Sequence, residues 1–593
     1  MHDPVEEYKQ RLAERRARSA HLYRRHVSFG NARLGVATAA ALVAWFAFRE
    51  SAFTGWWLVP LGLIFAALAF LHDGVLRARV KCERAVKFFE RGLARIDGGW
   101  VGQGSAGEKF ADPSHAYAQD LDLFGHGSLF ELLSIARTEA GETALARWLK
   151  APAAPEEIRA RQAAVSELRN RVDLREAMAV LAEDVRARVH ADALAKWGAE
   201  PVLLDSRAAR IWAAALALGM IAATAVAFTY GIPEIFLFGA AVVAAFAVRY
   251  RKRVAQVAGR VDEAARDLEL LAAVLKLLER ESFRSPKLAE VRKMLEVDGR
   301  PASWQIARLQ RFVELLDQRD HVAVRALGPL VLWTTQLAFA VEAWRKRSGP
   351  AIARWLEALG EIEALNSLAG YSYEHPDDRF PVIREDGVWF EGEGMRHPLL
   401  AAERAVANDV RLGDGLRLMI VSGSNMSGKS TLLRTVGVNT VLALAGAPVR
   451  ARRLCLTPFK LGASIQVRDS LLEGQSRFYA QIVRLRRIVD LSLGPLPLLF
   501  LLDELLHGTH SHDRRIGAEA ILRGLVERGA VGLITTHDLA LTEIAEGLGD
   551  RAANVHFEDR MEAGEMKFDY RLRPGKVQKS NALELMRSIG LEV

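Results

Sequence analysis

The chain is poor in residues that staple or break a fold. Its 593 residues include two cysteines, Cys82 and Cys455, and 19 prolines. Two distant thiols exclude a disulfide framework and a cysteine-built zinc site, and they give no sign of an oxidising compartment. The first 30 residues lack the basic, apolar and small-residue order of a cleavable signal peptide. They read as a charged helix on the cytoplasmic side. Charge of one sign is not in strong excess: 80 Lys and Arg face 72 Asp and Glu, a net +8. That surplus suits contact with phosphates or an anionic membrane and compels neither. With 50% hydrophobic residues and 26% charged, the bulk of the chain is foldable. Its length calls for three or four domains.

Charge is almost missing from four runs: Leu34–Phe48, Trp56–Leu71, Ile211–Tyr230 and Ile232–Val248. Crossing a bilayer core takes roughly 17–25 apolar residues. Leu34–Phe48 is short for this, and Arg49 and Glu50 could snorkel to extend it. Arginines and lysines flank both pairs: Arg24, Arg25 and Arg33, then Arg77, Arg79 and Lys81; Arg207 and Arg210, then Arg249, Arg251, Lys252 and Arg253. With very short connecting loops, the excess of positive charge predicts two hairpins with every large segment in the cytoplasm. The expected location is the inner (cytoplasmic) membrane, multi-pass. A fifth apolar stretch, Leu327–Val341, holds Pro329, Thr334, Thr335 and Gln336 and reads as a packed soluble helix. Leu121–Arg186 and Val254–Leu368 show helical spacing and no visible chemistry.

Near residue 380 the texture changes. Short β-prone runs at Val388–Phe390, Leu416–Val421, Leu498–Leu502 and Val531–Thr535 alternate with helical stretches, the pattern of a mostly parallel sheet. Within it, Gly423-Ser424-Asn425-Met426-Ser427-Gly428-Lys429-Ser430, followed by Thr431, fits G-x-x-x-x-G-K-[ST] between a strand and a helix. Glycines let the backbone N–H groups curl toward phosphate oxygens, and the helix start adds a positive dipole. Lys429 is placed to neutralise the β- and γ-phosphates, and Ser430 to hold Mg²⁺. Asp503 and Glu504 end the apolar run Leu498–Leu502. Asp503 is expected to bind Mg²⁺ through water, and Glu504 to orient the attacking water. His537, ending a later strand, could sense the γ-phosphate. In Asp469–Phe478, Ser476 near a helix start could present its hydroxyl to an anion, although an ordinary helix cap explains that spacing equally.

Taken together these residues resemble the ATPase domain of the MutS mismatch-repair family. The loop Gly423–Thr431 looks like G-P-N-M-G-G-K-S-T, with Ser424 and Ser427 as departures. Glu473–Phe478 resembles G-R-S-T-F, and Asp503, Glu504, Gly508 and Thr509 resemble D-E-x-x-x-G-T. Thr536-His537 resembles the family's T-H switch. Arg396-His397-Pro398 and Asn408-Asp409 resemble the start of the same domain, and Tyr570–Gly590 its closing segment. Phe124–Pro152 is more weakly similar to the core domain that joins the ATPase to lever helices. No minor-groove wedge is recognised before that core, where the Phe-x-Glu triplets Phe48-Arg49-Glu50 and Phe88-Phe89-Glu90 fall in the hairpin region, and the first hairpin stands where the mismatch-recognition domain would be. Ala405 falls where the family has an adenine-stacking aromatic, and His507 replaces a basic residue.

The resemblance implies a homodimer through paired ATPase domains, with Ser476 completing the partner's phosphate site in trans. The expected whole is a multidomain chain: an α/β P-loop (ABC-like) ATPase domain plus an all-α core and lever region carrying two transmembrane hairpins. Its segments are 1–30 (basic, cytoplasmic), 31–75 (hairpin), 76–205 (helical core), 206–250 (hairpin), 251–380 (lever) and 381–593 (ATPase). The expected function is ATP and Mg²⁺ binding with ATP hydrolysis, Lys429, Glu504 and His537 catalysing, and DNA as partner. The competing function is a membrane mechanoenzyme acting on protein or lipid. A transporter reading is weaker, because Asn425-Met426 is not transporter-like and the spans hold no buried charge to mark a path.

Overall fold

The computed structural model describes every residue except 1–2, 50–54, 319–320, 414, 425, 467–476, 507–509, 563–564 and 578–593. The chain forms two compact units, each built from separated segments. One comprises residues 1–135, 145–180 and 365–593; the other comprises 136–144 and 181–364.

The first unit opens with a helical hairpin, α1 (Pro4–Arg49) and α2 (Leu58–Ile96). No proline interrupts the chain between Val5 and Arg49, so the charged N-terminal stretch and the first apolar run form one rod. At 1.5 Å per residue its 46 residues span about 70 Å. The base of the hairpin is anchored: Tyr8, Leu12, Phe88 and Phe89 pack with Ile135, Val172 and Tyr373. Beneath them the buried Glu374 carboxylate accepts from Arg95 Nε (2.6 Å) and Nη2 (2.5 Å) and from the Tyr8 hydroxyl (3.3 Å). The apolar windows are bare by contrast; Trp56 is 80% exposed and Phe70 75%.

The second unit carries the other hairpin, α3 (Arg207–Tyr230) and α4 (Pro233–Arg280). Ser206 caps α3 by accepting from Ala209 N. Gly231 at φ +68° ends α3, a left-handed position that suits glycine, and Pro233 starts α4 at its first turn. Ala209, Ala213, Ala217 and Met220 form the buried stripe of α3, while Phe228, Leu237 and Phe238 on the hairpin are exposed. Past the apolar window, α4 buries Val254, Val261, Leu268 and Leu275 against the helix Ala302–Asp317 and against α5 (Trp333–Ser348). The stretch expected as one helix over Leu327–Val341 is broken. A short turn, Gly328–Val331, precedes Leu332 at φ +53°, and the flanking helices bend by 67°.

The C-terminal part of the first unit is the α/β region. Its strands are β1 (Trp389–Met395), β2 (Asn408–Gly413), β3 (Leu418–Ser422), β4 (Arg453–Leu456), β5 (Lys460–Ser464), β6 (Leu498–Leu502), β7 (Val531–Thr536), β8 (Ala552–Glu562) and β9 (Glu565–Pro574). Its helices are α6 (Lys429–Ala445), α7 (Arg477–Leu491) and α8 (Ser511–Glu527). Among the described residues, six strands form one sheet in the order β9-β8-β3-β7-β6-β5, parallel except for the β8–β9 hairpin. A smaller sheet joins Val382–Ile383, β4, β1 and β2. Every residue of β3, β6 and β7 is buried, as a sheet covered on both faces requires. Leu418, Ile420, Phe500 and Ile534 pack with Ala518, Leu522 and Leu525 of α8. The carboxyl ends of β3, β6 and β7 therefore open side by side, where an α/β sheet presents its ligand crevice.

Candidate functional site

The loop after β3 turns through Met426 at φ +71° and Gly428 at φ +101° into α6. A side chain at 428 would come within 3.0 Å of the Tyr570 ring, a tight contact, but it is φ that chiefly calls for glycine there. Lys429 opens α6. Its ammonium lies back on the loop, donating to the carbonyls of Gly423 (2.8 Å) and Ser424 (2.7 Å). Burial pushes its pKa down, against the pull of Glu504, Asp503 and Asp559. The hydroxyls of Ser424 and Ser427 are buried with no hydrogen-bond partner among the described residues. Asn425 lies outside the described residues. Thr431, the last residue of the motif, lines the cavity described below.

Across the sheet, the Ser430 hydroxyl donates to Asp503 Oδ2 at 2.6 Å, and the Thr535 hydroxyl donates to Asp503 Oδ1. Asp503 N donates to Ser464 O at the end of β5 (2.8 Å), and Glu504 N donates to Thr535 Oγ1 (3.2 Å). Glu504 sits at φ +45°, a left-handed conformation uncommon for a residue other than glycine and costly by roughly 1–3 kcal/mol. That turn brings its Oε1 to 3.2 Å from His537 Nδ1. The structure thus brings together Lys429, Ser430, Asp503, Glu504 and His537. Ser476, His507, Gly508 and Thr509 lie outside the described residues.

Lys429, Ser430 and Glu504 line one end of a cavity of about 660 Å³, and Asp503 and His537 contact Ser430 and Glu504 respectively. One polar end is Gly428–Thr431 with Glu504, and the other walls include Met395, Leu400, Glu403, Arg404, Ala405, Val406, Phe557 and Tyr570. Ala405 does line the cavity, so an aromatic is missing at that spot, but Phe557 and Tyr570 arrive from the β8–β9 hairpin. Asn408 holds the hairpin by donating to Tyr570 O (2.9 Å) and accepting from Leu572 N (2.7 Å). Sequence reading missed this wall because its residues lie some 160 positions from β2 and only sheet pairing brings them in. The aromatic Phe568–Tyr570 alternation was the available signal. His397 also lines the cavity. Burial first, then Arg434 and Arg450, push its imidazole down to about 4, so it is neutral at physiological pH.

The residues fit a magnesium nucleotide. A buried cation and unpartnered hydroxyls face the loop, and a hydroxyl and a carboxylate converge as hard oxygen donors. Among the described residues there is no cluster of three or more His, Cys, Asp or Glu that could hold a metal alone. Ser430 and Asp503 would share a Mg²⁺ with phosphate and water, as that ion commonly requires.

One further carboxylate organises the sheet edge. Asp120, fully buried, accepts from the N–H groups of Ile465 (2.6 Å) and Gln466 (2.8 Å) and from Arg484 of α7. Its neighbour Asp122 pairs with Arg434 of α6 at 3.1 Å. Burial pushes the Asp120 carboxyl up, while Arg484 and the two N–H groups pull it down.

Residues 419–592 match the family model for MutS domain V. Its C-terminal part thus carries a domain of the MutS family. A DNA mismatch repair protein MutS of Natronomonas pharaonis is 33% identical over 242 residues, covering 40% of this chain and 27% of that protein. A MutS of Geobacillus thermodenitrificans is 28% identical over 295 residues, 49% of this chain and 32% of the other. Endonuclease MutS2 of Thermus thermophilus is 32% identical over 242 residues, 40% and 31% respectively. The chain thus spans about a third of the length of these MutS relatives.

Proposed function

We propose that this MutS-family chain is a membrane-anchored enzyme that binds Mg·ATP in the 660 Å³ cavity and hydrolyses it. The observation that carries the reading is that Ser430 and Glu504 line the polar end of that cavity while Asp503, bonded to Thr535, holds Ser430 and His537 meets Glu504. Backbone N–H groups and Lys429 hold the phosphates. Ser430 and Asp503 hold the magnesium, which supplies Lewis-acid polarisation of the phosphoryl group. Glu504 orients the attacking water and takes up its proton, and His537 fixes the Glu504 carboxylate from the end of the next strand. The base lies between Tyr570 and the wall formed by Leu400, Ala405 and Val406 with the charged Glu403 and Arg404. Hydrolysis in trans through Ser476 of a second copy belongs to the same proposal.

The membrane part rests on the two hairpins, whose four helices are each long and apolar enough to cross a bilayer. Their apolar windows are at most 17% buried. Branched or damaged DNA is the proposed partner, because the relatives are mismatch repair proteins and an endonuclease. Mismatch sensing itself is not proposed: the Phe88-Phe89-Glu90 triplet lies within α2 with both rings buried, where neither could enter a groove. A mechanoenzyme working on protein or lipid is the second reading, favoured by the two apolar hairpins. The deciding experiment measures ATPase rate in lipid nanodiscs with plain, mismatched and branched duplexes at two salt concentrations. Salt-sensitive stimulation by DNA supports the first reading. No stimulation by DNA, with stimulation by lipid composition, supports the second. No Mg·ATP retention at millimolar nucleotide overturns the enzyme itself.

A further inference from the structure

The broken segment beside the second hairpin is the feature this function leaves unexplained. Val322–Leu327 is a single short helix turn, followed by Gly328–Val331 and the left-handed Leu332. Gly328 and Pro329 disfavour a straight helix through this point, and Leu332 at φ +53° redirects the chain. The Gly328–Val331 turn packs against both α3 and α4, the two helices of the hairpin. On the far side of the bend, Phe339 of α5 meets Tyr250 edge-on with ring centroids 5.7 Å apart, two residues beyond the apolar window Ile232–Val248. The bend therefore lies at the cytoplasmic border of the apolar window.

The side chains left bare there are apolar. Val322 is 82% exposed and Leu327 63%, in company with exposed Ala326 and Pro329. On the hairpin itself Ile211 (69%) and Trp212 (63%) are equally bare. A soluble surface seldom leaves so many large apolar side chains this bare around one turn and the helices it packs on. The charged neighbours, Arg325 and Arg251, are long side chains able to reach headgroups while their stems stay in apolar surroundings. The bent pair Val324–Val331 and Trp333–Ser348 is, taken together, as apolar as a span, yet its 67° bend gives it the form of a re-entrant element.

We propose that residues 322–332 form a re-entrant interfacial segment that enters the cytoplasmic leaflet beside the second hairpin, with Val322 and Leu327 among the acyl chains and Arg325 at the phosphates. The occupant is lipid, because the segment packs through Gly328–Val331 against both helices of the hairpin, whose apolar windows are themselves exposed. This rests on the membrane reading above.

Spin labels at V322C and L327C test it in the full chain, reconstituted in nanodiscs containing anionic lipid. Both side chains are exposed, so labelling does not disturb packing, and the native Cys82 and Cys455 are buried. Leu237→Cys in the hairpin and Glu263→Cys on the exposed face of α4 serve as references. The ratio of oxygen to nickel-chelate accessibility at 322 and 327 is expected to match that at Leu237 and to exceed that at Glu263 severalfold. Values at 322 and 327 that match Glu263, with Leu237 in lipid, overturn this segment alone. Labels closed to both probes mean a protein neighbour and overturn it as well. A water-exposed Leu237 overturns the membrane reading together with the segment.

Discussion

Lys429 and Glu504 carry separable tasks at the site. Lys429→Ala removes the one ammonium held in the loop, and nucleotide affinity is expected to fall at least about tenfold, the worth of a charge-assisted hydrogen bond. Glu504→Gln keeps the shape and loses the base. It should bind fluorescent ATP analogues normally while turnover drops at least about a hundredfold. Normal turnover in that variant would assign the water to another group. His397 gives a pH signature. Its ordinary value is 6.5, and in the fold it is about 4. As pH falls through about 6.5 the unfolded chain takes up a proton that the folded chain refuses until about 4. Stability present above that window is lost across it, by up to about 3 kcal/mol. The melting midpoint in detergent should therefore drop between pH 7 and pH 5 in the natural chain, and drop less in His397→Gln. These residues differ in how visible they are beforehand. Lys429, Ser430, Asp503 and Glu504 stand in contiguous motifs whose chemistry is local. Thr535 as the second partner of Asp503, and Tyr570 as a wall, depend on strand order and are silent in the linear chain.

At the scale of elements, α6 is held from outside the sheet by the segment around Asp120. Gly437 of α6 touches Leu121 so closely that an added Cβ would lie 2.5 Å from Leu121 Cδ2. Leu121 is fully buried and cannot swing away. Gly437→Ala is expected to cost about 1–3 kcal/mol, read as a lowered melting midpoint. Asp120→Ala leaves Arg484 without its carboxylate in a site where Arg484 is 17% exposed. Such broken pairs cost about 3–5 kcal/mol. Because Asp120 also fixes the residues after β5, kcat should fall more than KM rises, which a purely global loss of stability would not produce. The strands at Leu498–Leu502 and Val531–Thr536 are legible because a fully buried parallel strand is a continuous apolar run. The bend at Leu332 is not legible, because apolar content alone does not distinguish a straight helix from a broken one.

For the whole molecule, the two hairpins predict one topology. Ile232→Cys, in the tight turn between α3 and α4, should react with an impermeant thiol reagent only from the side opposite the ATPase region. Labelling of intact spheroplasts against inverted vesicles reads this directly. Reaction from the ATPase side would remove α3 and α4 as spans. The compact units themselves cross the chain order: residues 136–144 belong with 181–364, while 145–180 belong with both termini. The amino-acid sequence by itself determined the phosphate loop, the acid pair, the four apolar runs and the family likeness, because each depends on neighbours within a few residues. Only the tertiary structure decided which distant groups share the cavity: Phe557 and Tyr570 beside Ala405, Thr535 beside Asp503, Asp120 beneath β5. The physical reason is that sheet order and register, set by burial of the whole α/β core, bring those groups within hydrogen-bond or van der Waals reach, and no local pattern encodes that order.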